Sequence, residues 1–133
     1  AAAPQPAHLM VIEDDVDTLE MLRATLATHG FRVTACESAA ETLRLAPEQA
    51  FDLIISDIGM PAMDGFEMIR RLRQLKQYES VPAIALTGYA SHKDAKAALA
   101  SGFNAHVSKP VEPAELIALV NRLLMKRAPS GNR

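Results

Sequence analysis

A single cysteine, Cys36, excludes an internal disulfide. It ends an apolar run, which marks it as a small buried hydrophobe, and its isolation suits a reducing compartment such as the cytoplasm. No apolar run approaches the ~20 residues of a membrane span, so no membrane partner is expected. The opening "AAAPQPAH" has neither the basic stretch nor the apolar core of a secretory signal. A formal net charge of -2 gives no general attraction to nucleic acid or anionic lipid. Neither G-x-x-x-x-G-K-[ST] nor G-x-G-x-x-G occurs, which removes the common nucleotide-binding loops. The 133 residues are 49% hydrophobic and 23% charged, enough apolar material for one globular core. The Ala/Pro-rich residues 1–7 read as a linker or cut end, residues 8–126 as the domain and residues 127–133 as a polar tail. The frayed ends lead us to expect a domain carried in a longer chain; a single-domain protein with trimmed ends is the alternative.

Between those ends, short apolar runs alternate with helical periodicity. "HLMVI", "FRVTAC", "FDLIIS", "VPAIALT" and "AHVS" read as strands. Leu19, Leu22 and Leu26 share one face of a first helix that stops at Gly30. Ser38 with Glu41, and Asp64 with Glu67, have capping-box spacing for the second and third helices. Phe66, Ile69, Leu72 and Leu75 repeat helically in the third. The fourth helix is Ala-rich and ends at Gly102; the fifth has Pro113 in its first turn. Five β-α units argue for a flavodoxin-like α/β fold, a five-stranded parallel sheet of order 2-1-3-4-5 with helices on both faces. The first, third and fourth strands lack alternation, as strands buried on both sides do.

The strand ends carry the chemistry. The first runs into Glu13, Asp14 and Asp15, the third into Asp57, the fourth into Thr87 and the fifth into Lys109. If strands 1 and 3 are neighbours, several carboxylates converge, and like charges that close need a cation. Mg²⁺ fits best, because it takes one or two carboxylates and shares phosphate oxygens, with Mn²⁺ as the substitute ion. Lys109 adds a point charge suited to phosphate. Taken singly, each residue has a structural reading: a charged helix start for "EDDVD", a turn former for Asp57, a backbone-bonded hydroxyl for Thr87 and a solvated ammonium for Lys109.

In "DIGMPAMDG", the pair Glu13–Asp14, "LTG" at 86–88 and "SKP" at 108–110, the sequence resembles the receiver domain of two-component response regulators, chemotaxis receivers included. The resemblance covers about residues 8–126. It implies that Asp57 accepts a phosphoryl group from a phosphohistidine, with Thr87 donating to a phosphoryl oxygen and Lys109 pairing with the phosphate, or with Asp57 before phosphorylation. It implies Mg²⁺ bound by Asp14, Asp57 and the Gly59 carbonyl, with Glu13 acting through water, and a cis Lys109–Pro110 peptide. The partners implied are a histidine kinase or phosphotransfer protein and a fused or separate output domain. Enzymatic activity is limited to the domain's own phosphorylation and dephosphorylation.

The sequence departs from the family pattern at residue 106. His106 stands where many receivers carry the Tyr or Phe that switches rotamer, so output is expected to depend more on residues 87–92, and His106 itself is expected to be a partly buried strand residue. Gly59 and Tyr89 occupy the positions that tune phosphate lifetime in similar domains, and no rapid self-dephosphorylation is expected. His92, Lys93 and Lys96 on the fourth helix, with Arg122, Lys126 and Arg127 on the fifth, form a solvated basic face or, alternatively, an output or homodimer surface. A degenerate receiver used only for docking or dimerisation is the alternative function; it would typically lack one of Asp14, Asp57, Thr87 or Lys109. An aspartate-based phosphatase of the haloacid type would need a second Asp where Gly59 stands.

Overall fold

The computed structural model describes residues 5–88 and 92–127. Five strands, β1 (His8–Ile12), β2 (Arg32–Cys36), β3 (Leu53–Asp57), β4 (Ala83–Thr87) and β5 (Ala105–Ser108), form one parallel sheet of order β2-β1-β3-β4-β5. The connecting helices are α1 (Val16–Thr28), α2 (Ala39–Leu45), α3 (Gly65–Arg73), α4 (His92–Ser101) and α5 (Pro113–Arg127). The flavodoxin-like expectation is met strand for strand.

Side chains alternate across each strand, so the sheet divides the apolar residues into two layers. Met10, Ile12, Ile54, Ala83 and Ala85 face one layer, completed by Ala39 of α2, Met68, Ile69 and Leu72 of α3, and Ala98 of α4. Leu9, Val11, Leu53, Ile55, Ile84 and Leu86 face the other, closed by Leu19, Leu22 and Leu26 of α1 and Leu116, Leu119 and Val120 of α5. Burial on both faces explains why β1, β3 and β4 are nearly continuous apolar runs. Cys36 is fully buried in the first layer, its thiol directed at the Met10 sulfur 3.4 Å away. Burial pushes that thiol's pKa up to about 11, so it is a structural residue rather than a reactive one.

The helix ends follow the cap chemistry, with two adjustments. Asp15 caps α1 by accepting from the Thr18 amide at 3.0 Å, and Gly30, at φ +93°, ends it. Ser38 and Asp64 accept from the N–H groups of Glu41 and Glu67, at 3.1 and 2.9 Å. Neither capping box closes. The Glu41 carboxylate reaches the Glu37 amide at 3.3 Å, one residue before the cap. Glu67 turns outward to Arg71 at 2.8 Å and Arg70 at 3.3 Å, because two arginines one turn on offer charged donors.

At the amino-terminal edge of the sheet, His8 is held on three sides. Its ring nitrogen Nε2 lies 2.7 Å from the Thr34 hydroxyl, its ring tilts against Phe51 at 4.7 Å, and its amide donates to Asp52 at 2.8 Å. Burial and then the nearby Arg32 lower its pKa, against an opposing pull from Asp52. The folded state therefore binds this proton less well than the unfolded chain. His8's contribution is complete above pH 6.5 and is lost as pH falls through 6.5 towards the lower folded value. Urea unfolding of the wild type and His8→Gln between pH 7.5 and 5 should show the wild type losing more stability over that range; equal losses would contradict the assignment.

Candidate functional site

The residues at the carboxyl ends of β1, β3, β4 and β5 meet at one edge of the sheet. Asp57 is the last residue of β3, 6% exposed, in register with Leu86 of β4. Glu13 follows β1 and is buried; its amide donates to the Cys36 carbonyl at 3.0 Å, which extends the sheet by one residue. Asp14, the next residue, is exposed. One carboxylate oxygen from each of Glu13, Asp14 and Asp57 lies within 4.8 Å of the others. A single ion with ~2.1 Å bonds to oxygen spans up to about 4.2 Å between opposite ligands, so small side-chain adjustments suffice.

Lys109 enters from β5, where its amide donates to the Thr87 carbonyl at 2.7 Å. The Lys109–Pro110 peptide is cis, as the resemblance implies. Its ammonium lies 2.9 Å from Glu13 Oε1 and 3.2 Å from Asp57 Oδ2. The pairing with Asp57 was anticipated; the closer pairing with Glu13 was not, because sequence spacing does not reveal which carboxylate turns inward. Burial raises the pKa of Glu13, and Lys109 offsets that only in part. For Lys109, burial disfavours the ammonium, but Glu13 and Asp57 outweigh it and its pKa is raised.

Three carboxylates facing one ammonium leave an excess of two negative charges, and the Glu13 Oε1 atom is buried with no aligned hydrogen-bond donor. A divalent, oxygen-seeking cation fits that deficit, so the donor set is compatible with Mg²⁺.

The two glycines of the segment after Asp57 differ in what packing asks of them. The Gly59 amide approaches Asp57 Oδ1 at 3.3 Å. A side chain on Gly59 would meet nothing within 4 Å, so packing within the protein does not demand glycine there. Gly65 is the demanding position: a Cβ would lie 2.6 Å from the Asp57 carbonyl oxygen and 2.8 Å from Ile58 Cα. Its amide donates to the Ile58 carbonyl at 2.9 Å, seating the first turn of α3 against the backbone of Asp57. Met60 is buried and Met63 packs on the same core, as loop-packing residues.

The remaining candidates are dispersed. Thr87 is buried and its hydroxyl lies 3.4 Å from the Val107 carbonyl, the backbone-bonded state. His106 is exposed on β5 rather than partly buried. It lines a groove of about 450 Å³ between α4 and α5 with Leu99, Glu115, Leu119 and Arg122. Lys93, Lys96, Arg122 and Lys126 are exposed. Tyr89, residues 89–91 of the proposed output loop and the side chains of His92 and Arg127 lie outside the described residues. Sequence reasoning missed Ala62, which has φ +69° in the Asp57–Gly65 loop.

A parallel sheet whose carboxyl edge gathers a buried acid, two further carboxylates and a lysine defines a phosphoacceptor signalling domain rather than a metabolic enzyme. The chain belongs to the response regulator receiver domain family, whose model matches residues 9–121. It is 46% identical over 123 residues to an uncharacterized 14.6 kDa protein of Leptolyngbya boryana, covering 92% of this chain and 94% of that one. The chemotaxis response regulator CheY4 of Vibrio cholerae superposes with a TM-score of 0.84 at 30% identity, covering 89% of this chain and 98% of that one. The receiver domain of the sensor histidine kinase PA1611 from Pseudomonas aeruginosa PAO1, which holds a magnesium ion in its active site cleft, matches with the same TM-score of 0.84 and 30% identity, over 90% of this chain and 98% of that one. Several transcriptional regulators it matches are longer: the chain spans 57% of one and 28% of another. Receiver domains work with histidine kinases and output domains, and no helix among the described residues is long and apolar enough to cross a membrane.

The two unusual loop residues give a paired expectation. Gly65→Ala drives a methyl into backbone atoms and should destabilise by about 2–3 kcal/mol. Ala62→Gly relieves a left-handed alanine and should stabilise by roughly 0.5–1 kcal/mol. Urea midpoints of the two variants should move in opposite directions.

Proposed function

We propose that Asp57 is the phosphoacceptor of a receiver domain spanning residues 8–126. One observation supports this above the rest: the Asp57 carboxylate is held at a strand end, beside the Lys109 ammonium, in a pocket whose described residues carry an excess of negative charge. A carboxylate oxygen of Asp57 attacks phosphorus, the P–N bond of a phosphohistidine breaks, and the imidazole nitrogen leaves with the electron pair. The product is an acyl phosphate on Asp57. Transfer of this kind needs positioning and charge neutralisation rather than an elaborate covalent route.

Asp14, Asp57 and the Gly59 carbonyl would hold Mg²⁺ directly and Glu13 through water, with Mn²⁺ as substitute. The bound ion supplies positive charge to the phosphoryl oxygens. Lys109, already between Glu13 and Asp57, follows the charge onto the phosphoryl group. Thr87 gives up its long contact with Val107 and donates its hydroxyl to a phosphoryl oxygen. Gly59 leaves the space beside Asp57 open, and Gly59 and Tyr89 set the lifetime of the acyl phosphate, which water hydrolyses in the same pocket. The donor is a histidine kinase or phosphotransfer protein, the output a fused or separate domain, and the setting cytoplasmic. Retention of Asp14, Asp57, Thr87 and Lys109 speaks against a docking-only receiver.

Incubation with Mg²⁺ and acetyl phosphate should add one phosphoryl group by intact mass. Asp57→Asn, or chelation of the metal, should prevent it. An unchanged wild-type mass would remove the phosphoacceptor reading.

The α4–β5–α5 face serves as a homodimer surface in this reading. Leu99 is 51% exposed there, and Glu115 and Arg122 stand about two helical turns apart on α5. A two-fold axis near Ala118 would set each acid against the partner copy's base. Light scattering should show Arg122→Glu weakening the dimer and the charge swap Glu115→Arg with Arg122→Glu restoring it. A dimer indifferent to both changes would place the contact elsewhere.

A further inference from the structure

Arg73 is the last residue of α3, and no carboxylate among the described residues pairs with it. Its guanidinium instead makes five hydrogen bonds, as many as it has N–H groups. Nε and Nη2 donate to the Gly102 carbonyl at 3.1 and 2.8 Å, and Nη2 also reaches Asn104 Oδ1 at 3.0 Å. Nη1 donates to the carbonyls of Tyr78, at 2.8 Å, and Val81. Asn104 continues the connection: its Oδ1 accepts from the Ala83 amide at 2.8 Å and its own amide donates to the Ala83 carbonyl at 2.8 Å. One side chain thus joins the ends of α3 and α4 to the starts of β4 and β5.

One turn earlier, Arg70 donates to the Ser101 hydroxyl at 3.1 Å, and that hydroxyl donates to the Ala97 carbonyl at 2.7 Å. Gly102 lies against the same arginine: a Cβ there would be 3.3 Å from Arg73 Cγ. Burial within the described part of this segment gathers towards the same end. Ala98 and Phe103 are buried, whereas none of residues 93–97 is. A guanidinium on the last carbonyls of a helix also meets the negative end of its dipole.

We propose that Arg73, aided by Arg70, pins the C-terminal end of α4, so that movement of the helix on phosphorylation pivots about residues 101–104 and leaves that end in place. The signalling clause rests on Asp57 being the phosphoacceptor; the pin does not. Arg73→Lys keeps the charge and most of the stem but cannot reproduce the planar fork.

The test is residue-resolved amide exchange on the whole chain, with and without Mg²⁺ and acetyl phosphate, while intact mass follows phosphoryl uptake. In the wild type, phosphorylation should change exchange at 96–98 severalfold and leave 99–104 within about twofold. Arg73→Lys should raise exchange at 99–104 by about tenfold without donor and carry the phosphorylation effect through to residue 104. Arg70→Ala, at an exposed position, should give a smaller rise at the same amides and serves if Arg73→Lys unfolds globally. A wild-type change that is uniform along α4, or unaltered 99–104 exchange in a folded Arg73→Lys, would overturn the pin. Failure of phosphoryl uptake would instead remove the phosphoacceptor reading, with the pin still decided by the unphosphorylated variants.

Discussion

The ammonium of Lys109 stands between the buried carboxylates of Glu13 and Asp57, and much of the domain serves to put it there. Glu13 and Asp57 sit on adjacent strands whose register is set by apolar side chains on both faces. Lys109 arrives from the far side of the sheet, its backbone tied to Thr87. An ion pair of this kind is not a source of net stability, since desolvation offsets much of the attraction. Its value is positional. One cation shared by two acids leaves the pocket short of positive charge, a deficit that a divalent cation would offset.

The sheet and the loops divide the work unequally. Strand ends fix where Asp57, Glu13, Thr87 and Lys109 begin: β1, β3 and β4 are paired on both sides, and β5 is held along β4. The loop from Ile58 to Asp64 then has to turn back sharply enough for α3 to rest on the Asp57 backbone. Glycine at 65 makes that contact geometrically open, and the left-handed Ala62 is part of the same turn. Rigidity at Asp57 is therefore assembled from the next helix as well as from its own strand.

The architecture was legible in the sequence because its signals are cooperative: five apolar runs, each followed by helical periodicity, leave few other topologies. The pocket's membership was legible for the same reason, since carboxylates and a lysine at strand ends must meet once strand order is known. What escaped depended on side-chain direction. Nothing in "EDD" says that Glu13 turns inward to Lys109 while Asp14 stays exposed. The two capping boxes had the right spacing, yet Glu67 found arginines and Glu41 an earlier amide. The alternation in "AHVS" does not say which face packing covers, so His106 was assigned to a part-buried position when it lines an open groove. Nor does the sequence distinguish Arg73 from its neighbours Arg70 and Arg71, although its four acceptor atoms come from two separated stretches, 78–81 and 102–104.

The burial of Cys36 has a consequence of another kind. Its sulfur is sealed between strand and helix, with a depressed tendency to form thiolate. A thiol in that state exchanges neither with disulfides nor with oxidants unless the β2 edge opens. The domain's one thiol is thus insulated from the redox state of its surroundings.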